Sequence, residues 1–341
     1  MRAMLLTGHG DVDQYVHRDD VPVPEPRAGE VLVAVEACSV NNTDINVRTN
    51  WYAGQVDDSG FALPRIQGAD VAGRIAAVGE SVDPSRVGER ILVDPGLRWE
   101  IPLPDGRRTG FLGFDVDGGY AQFVRVPAGN AWKVGETLSA AELACLPVAY
   151  TTALEMILRA QPLVGETIVV TGASGGVGVA LVQLAKLYHL RVIAVASAEK
   201  ADRVRELGAD VVIDRAAGPV VDNIRAAGFA TVDIVADVTG GETLAQLIDL
   251  LRPRGRAVTA GAISGAIAPI DLRHMIYKDI ALHGVSRNPD STFASLIALA
   301  DAGLVRPPIA ATFPLPELGN AHRAFLAREQ VGKVVVLIDQ D

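Results

Sequence analysis

The residues with the sharpest chemical meaning are Thr171-Gly172-Ala173-Ser174-Gly175-Gly176-Val177-Gly178. They follow an apolar run, TIVVT at residues 167–171, and lead into a helical pattern over residues 176–189. Glycines permit a tight turn and let the backbone come close to a pyrophosphate. The following helix start offers free N–H groups and the positive end of its dipole. No Gly-Lys-Ser/Thr closes the motif, so it is not the phosphate loop of nucleoside triphosphatases. The spacing predicts a dinucleotide site, with Gly172, Ala173, Ser174, Gly175, Gly176 and Val177 around the phosphates.

The second strand of such a unit decides between the two nicotinamide dinucleotides. An NAD site usually carries an acid at its end, about 20 residues on, for the ribose 2′-hydroxyl. Here the strand ends Val195-Ala196-Ser197-Ala198-Glu199-Lys200, with Ala196 where the acid is expected. Ser197 can hydrogen-bond a 2′-phosphate and Lys200 can neutralise it, which favours NADP(H). Glu199 falls at the start of the next helix, where an acid stabilises the helix end. Arg215, just after the third strand, is a candidate for a second positive contact.

These residues need a scaffold, and the chain supplies one in two styles. The first 130 residues are β-rich. Residues 30–37 (EVLVAVEA) and 121–126 (AQFVRV) alternate apolar and polar; residues 71–78 and 90–93 add further runs, each punctuated by glycine or proline. Residues 95–119 are rich in glycine and proline without a clear period and read as a long loop. Residues 139–159 read as a helix broken near Pro147. Then short Val/Ile/Ala strands at residues 167–171, 191–196, 210–213, 232–236, 256–260 and 280–285 alternate with helical stretches. Strands apolar on both faces belong to a doubly wound parallel sheet. Residues 331–338 return to a β pattern.

Composition sets the outer limits. The 341 residues suggest two domains. The charge is 31 − 41 = −10, which argues against a nucleic-acid binder. Two cysteines, Cys38 and Cys145, exclude a disulfide scaffold and read as buried packing. There is no apolar run of membrane-spanning length and no signal-peptide pattern, so a cytoplasmic protein without membrane attachment is expected.

Six segments in order then resemble the medium-chain dehydrogenase/reductase superfamily, and within it the zinc-independent quinone oxidoreductase branch. They are EPRAGEVLV from Glu25, VNNTD from Val40, QGADVAG from Gln67, GGYAQF from Gly118, LPVAYTTA from Leu146 and GKVV from Gly332. The resemblance implies a fold of α/β plus β: a Rossmann sheet inserted into a GroES-like β-rich catalytic domain, with the active site in the cleft. The boundaries expected are residues 1–127 and 289–341 for the GroES-like domain and 128–288 for the NADP(H)-binding domain. Zinc-dependent relatives place metal ligands at positions that here look like Asn41, Ala69 and about Val148, none a usual zinc ligand. No metal is therefore expected.

Without a Lewis acid, hydride transfer to an electron-poor conjugated carbon is the easier chemistry, which points to a quinone or α,β-unsaturated carbonyl as substrate. The resemblance nominates Asn41, Thr43 and Tyr52 as catalytic hydrogen-bond donors to the developing oxygen charge. It marks Asp70 as the acid beside the lost metal site. It adds Thr152, Val238, Gly261 and Lys333 to the coenzyme residues, and it implies a homodimer joined through the edge strand at residues 280–285. Trp51, Trp99, Phe111 and Phe114 are candidates for an apolar substrate slot. Alternatives are a zinc-free alcohol or aldehyde reductase and a non-catalytic NADP(H)-binding protein. A short-chain dehydrogenase is opposed by the mid-chain motif and by the lack of Tyr-x-x-x-Lys: the residues four after the tyrosines are Asp19, Val56, Val124, Leu154, Val192 and Ala281.

Overall fold

The computed structural model describes residues 1–52, 62–103, 106–286 and 288–340, with backbone alone for 99–103 and 106–109. The chain forms two compact units, Met1–Val148 with Ile297–Asp341, and Ala149–Leu296. These divisions fall later in the chain than residues 127/128 and 288/289. The reason is local. The strand Ala131–Lys133 pairs with Arg90–Val93, and the short helix Ala140–Leu143 packs on the strands Glu30–Ser39 and Asp70–Val78, so both stay with the first unit.

The first unit is built on Glu30–Ser39, whose alternating valines Val31, Val33 and Val35 are fully buried. It lies inside a seven-stranded sheet ordered Ala131–Lys133, Arg90–Val93, Asp70–Val78, Glu30–Ser39, Lys333–Leu337, Ile309–Pro314, and Phe123–Pro127 pairs with it as well. The C-terminal strand Lys333–Leu337 thus closes onto the N-terminal region, running antiparallel to Glu30–Ser39. Residues 95–119, read from sequence as a loop, contain an antiparallel hairpin, Gly96–Leu103 with Gly106–Phe111. A register shift between Gly96 and Glu100 breaks the two-residue period, which hid the strands from a pattern search.

The second unit is a parallel six-stranded sheet. Its order is Val211–Asp214, Arg191–Ala196, Thr167–Val170, Val232–Asp237, Leu251–Thr259, Ala281–Gly284. The first strand in sequence sits in the middle, and Ile168, Val169 and Val170 are wholly buried. The chain therefore winds outward in both directions from Thr167–Val170. The point where the order reverses is at the carboxyl end of that strand, where doubly wound sheets bind their ligands. The six expected strands, their parallel pairing and the doubly wound class are all present. No helix among the described residues is long and apolar enough to cross a membrane.

Candidate active site

The glycine motif occupies that reversal point. Gly172 takes φ +56°, a left-handed conformation that favours glycine, immediately after the strand. The turn is closed by Ala173 N–H to Val195 O at 3.1 Å and Gly175 N–H to Gly172 O at 2.9 Å. The helix Gly176–Leu187 starts at Gly175 with no side-chain cap. A Cβ on Gly178 would stand 2.1 Å from Gly172 O, so only glycine lets the helix pack onto the turn. The result is an uncapped helix start at a bare backbone turn, an arrangement that fits a pyrophosphate.

At the end of the neighbouring strand Arg191–Ala196, Ser197 holds a buried Oγ with no hydrogen-bond partner. A buried hydroxyl of this kind costs free energy unless something completes it. Arg215 N–H binds Ala196 O at 2.9 Å, so the exposed Arg215 emerges at the same strand ends. Lys200 is buried, its N–H bonded to Ser197 O at 3.1 Å, while Glu199 is exposed. Across the sheet, Val238 Cγ2 lies 2.8 Å from where a Gly172 Cβ would be, and a Cβ on Gly261 would meet Val238 O at 2.2 Å. Gly172, Val238 and Gly261 are thus brought together. Thr152 is half-buried in the helix Ala149–Ala160, beside Thr151, whose buried hydroxyl has no partner.

In the first unit a buried polar cluster surrounds Asp70, which is fully enclosed. Its Oδ2 accepts from Ser39 Oγ, from Asn41 Nδ2 at 2.8 Å and from Lys333 Nζ at 3.2 Å; its Oδ1 accepts from Val148 N–H at 2.8 Å. The Lys333 ammonium also donates to Asn41 Oδ1 at 2.5 Å and to Val40 O at 3.0 Å. Both ends of the Asn41 amide are therefore engaged by protein. Lys333, grouped by resemblance with the coenzyme residues, is 3% exposed and serves this cluster.

Beside it, Asn41 caps the helix Asn42–Arg48, and its own N–H donates to Asp44 Oδ2 at 2.8 Å. Tyr120 Oη donates to the same oxygen at 3.1 Å. Burial pushes the Asp44 carboxyl up to about 7, with the nearby Asp70 adding to the effect. Thr43, Asp44, Val47, Gln67, Phe111 and Phe114 line a shallow depression. Tyr52 packs edge-on between Trp51, at 5.2 Å, and Phe114, at 5.7 Å, and burial raises its phenol above the ordinary value. Of the four expected aromatics, Phe111 and Phe114 reach the depression and Trp51 adjoins it through Tyr52; the side chain of Trp99 lies outside the described residues. Cys38 and Cys145 are both buried, and burial pushes the Cys145 thiol up to about 12, so neither is poised as a nucleophile.

Reading the sequence alone missed Ser39 and Asp237. Ser39 carries no signal beyond ending a strand. Asp237 does carry one: it is an acid closing the otherwise apolar run IVAD.

Residues 27–136 match the alcohol dehydrogenase GroES-like domain, and residues 176–302 match the family described as zinc-binding dehydrogenase. The chain is 30% identical to the quinone oxidoreductase of Rattus norvegicus, over 99% of this chain and 98% of that one. It is likewise 30% identical to an NAD-dependent alcohol dehydrogenase of Sulfurisphaera tokodaii, over 99% and 100%. The chain belongs to the medium-chain dehydrogenase/reductase superfamily. It is a quinone oxidoreductase-like member, an oxidoreductase of small molecules that uses a nicotinamide coenzyme. Among solved structures it is similar to a putative alcohol dehydrogenase from Sinorhizobium meliloti (TM-score 0.92, 41% identical, 99% of this chain and 97% of the other). The quinone oxidoreductase from Coxiella burnetii is also similar (TM-score 0.82, 25% identical, 99% of each).

A zinc ion needs thiolate, imidazole or carboxylate donors. The positions that resemble zinc ligands hold an amide, a methyl and an isopropyl group, in Asn41, Ala69 and Val148. The one oxygen donor among them, Asn41 Oδ1, is already bound to a buried ammonium. Among the described residues no group of three or more His, Cys, Asp or Glu could hold a metal ion. This donor set does not fit zinc.

Proposed function

We propose that the chain is an NADPH-dependent, zinc-independent oxidoreductase that reduces a quinone or an α,β-unsaturated carbonyl. The observation that carries the coenzyme half is the buried, partnerless Ser197 hydroxyl at the strand end where NAD-binding units use an acid. Ser197 and Arg215 bind the 2′-phosphate, and Lys200 adds its charge to that edge. The backbone from Gly172 to Val177 holds the pyrophosphate on the helix start. Thr152, Val238 and Gly261 line the nicotinamide end. The coenzyme, when bound, supplies the hydride.

The acceptor half rests on the first unit. A conjugated acceptor needs only hydrogen bonds to the oxygen on which charge develops. Thr43, lining the depression, and Tyr52 at its aromatic wall provide hydroxyl donors. Asn41, expected from the sequence as a third donor, has its amide hydrogens on Asp70 at 2.8 Å and on Ser39 O at 3.4 Å and its carbonyl on Lys333, so its amide belongs to the buried cluster and has no free hydrogen to offer a substrate. Lys333 and Asp70 hold that amide in place. Trp51, Phe111 and Phe114 supply an apolar wall suited to a flat ring.

Titration of the protein with NADPH and NADH, followed by turnover assays with 1,4-quinones, small enones and simple aldehydes, tests the reading. NADPH is expected to bind at least about tenfold more tightly, and quinones or enones to be reduced. Equal dissociation constants refute the Ser197/Arg215 assignment, and coenzyme binding without turnover of any acceptor favours a non-catalytic binding protein. A second reading, a zinc-free alcohol or aldehyde reductase, is favoured by the 41% identity to a putative alcohol dehydrogenase. Turnover of aldehydes in preference to quinones selects it.

The partner is a second copy of the chain. Among the described residues the strand Ala281–Gly284 ends the sheet with one edge unpaired, and Ile267, Leu272, Ile276 and Tyr277 nearby in sequence are 66–86% exposed. Light scattering should give twice the 35.9 kDa chain mass; a single-chain mass rejects the pairing.

A further inference from the structure

Asp237 ends the strand Val232–Asp237 and is fully buried. Its Oδ1 accepts from Thr171 Oγ1 at 2.7 Å, Thr239 Oγ1 at 2.8 Å and Thr239 N–H at 3.2 Å. Its Oδ2 accepts from Gly240 N–H at 2.8 Å and Thr259 Oγ1 at 3.1 Å. All of these donors are uncharged. The Thr171 hydroxyl in turn accepts Val238 N–H at 3.0 Å, and Asp237 O accepts Ala260 N–H at 3.1 Å. Three strand ends therefore meet on one side chain: that of Thr167–Val170, that of Val232–Asp237 and that of Leu251–Thr259.

Each strand end leads directly to a residue of the coenzyme site. Gly172 follows Thr171, Val238 follows Asp237, and Gly261 lies two residues beyond Thr259. There is no slack between them. A methyl group on Gly172 would press on Val238 Cγ2 at 2.8 Å, and one on Gly261 would press on Val238 O at 2.2 Å. Val238 is gripped between two glycines while Thr171 fixes its amide. An acceptor-only carboxylate can gather hydroxyl and amide donors from three directions at once, which no apolar side chain can do. For stability alone, apolar packing at this position would avoid the cost of burying a charge.

We propose that Asp237 is a positioning residue for the coenzyme, a clasp that sets the glycine turn, the Val238–Gly240 turn and the Gly261 strand end at one fixed spacing. The inference rests on the reading of the glycine turn as a nicotinamide dinucleotide site. It predicts that breaking the clasp weakens ligands spanning the turn and spares ligands held only at the Ser197 edge.

Thr171→Val removes the hydroxyl at nearly constant shape, Thr171→Ser restores it, and Asp237→Asn removes the charge independently. Dissociation constants for NADPH and for 2′-AMP are measured by calorimetric titration, with the ligand-free Tm of each variant. Thr171→Val and Asp237→Asn should weaken NADPH about tenfold, with 2′-AMP within about twofold of wild type, and Thr171→Ser should recover most of the loss. A lower Tm with unchanged NADPH affinity would make Asp237 a stability residue only and overturn the proposal, as would equal weakening of both ligands. Should the wild-type chain bind neither NADPH nor NADH, the coenzyme reading itself has failed and takes the clasp with it.

Discussion

Two buried groups in the first unit set opposite pH dependences, and removing one should expose the other. Asp44 is held at about 7 in the folded chain against an ordinary 3.8, chiefly by burial. It faces Tyr120 and the Asn41 amide, with Asp70 and Lys333 close by. His322 is pushed down to about 3 from 6.5 by burial and by the Arg48 guanidinium, and it packs edge-on against Tyr15 at 5.0 Å. Its Nδ1 is buried without a partner, so a proton there has nothing to bind. The raised Asp44 carboxyl makes the fold bind a proton more tightly than the unfolded chain, and its contribution is lost as pH rises from about 4 to 7. The depressed His322 does the reverse, and its contribution is lost as pH falls from about 6.5 to 3. Between about 4 and 6.5 the two slopes, each about 1.4 kcal/mol per pH unit, cancel. Asp44→Asn keeps an oxygen acceptor for the Asn41 and Tyr120 donors but deletes the titration. Relative to wild type it should lose about 3 kcal/mol on acidification from pH 6.5 to 4.5 and be the more stable protein above pH 7. Urea unfolding of both proteins at several pH values isolates the effect, because every other titrating group is common to both. Parallel stability curves would refute the raised Asp44 carboxyl, and a shift confined to pH above 8 would do the same.

Gly178→Ala sets a methyl group 2.1 Å from Gly172 O and 2.7 Å from Ala173 Cα, backbone atoms that cannot swing aside. It should cost about 1–3 kcal/mol and weaken either nicotinamide coenzyme at least about tenfold; wild-type affinity in the purified variant would contradict the close helix–turn packing. Lys333→Met leaves Asp70 buried without its cation and should destabilise the chain by about 3–5 kcal/mol, whereas Lys333→Met with Asp70→Asn should recover much of that loss. Chemical denaturation of the three proteins reads this, and additive losses would mean that Lys333 and Asp70 do not act as a pair.

The doubly wound sheet was legible because its strands are apolar on both faces and its glycine turn sits between strand and helix, signals that need no tertiary context. The hairpin at Gly96–Phe111 was not, because a register shift destroys the alternation on which strand recognition depends. The Ser197 edge was legible as the lack of an acid, but the burial of Lys200 was not, since a single helical turn decides which way a lysine three residues on is facing. Asn41, Asp70 and Lys333 were each marked by resemblance. That they form one cluster depends on the strand Lys333–Leu337 pairing with Glu30–Ser39, a contact across nearly the whole chain that no local pattern encodes. Asp237 was overlooked for the same reason: its partners Thr171 and Thr259 come from two other strands.

The cluster around Asp70 also explains why the departure from zinc chemistry is more than a missing ligand. The buried Asp70 carboxylate has a positive partner, the ammonium of Lys333 at 3.2 Å. The same ammonium occupies the Asn41 carbonyl oxygen, and Asp70 also fixes the Val148 amide. Restoring thiolate and imidazole ligands at positions 41 and 69 would therefore set a divalent cation beside an ammonium with no room to leave, in a medium where like charges repel strongly. Lys333 would have to lose its charge as well. The amide, the carboxylate and the ammonium hold one another in place, and the hydrogens of the amide and the ammonium are spent on Asp70, Asn41, Val40 and Ser39. The donors proposed for a substrate oxygen are then the Thr43 and Tyr52 hydroxyls; such donors suffice where charge develops on an already conjugated oxygen, and they suffice less well for a simple alcohol, whose proton must be removed before hydride can leave.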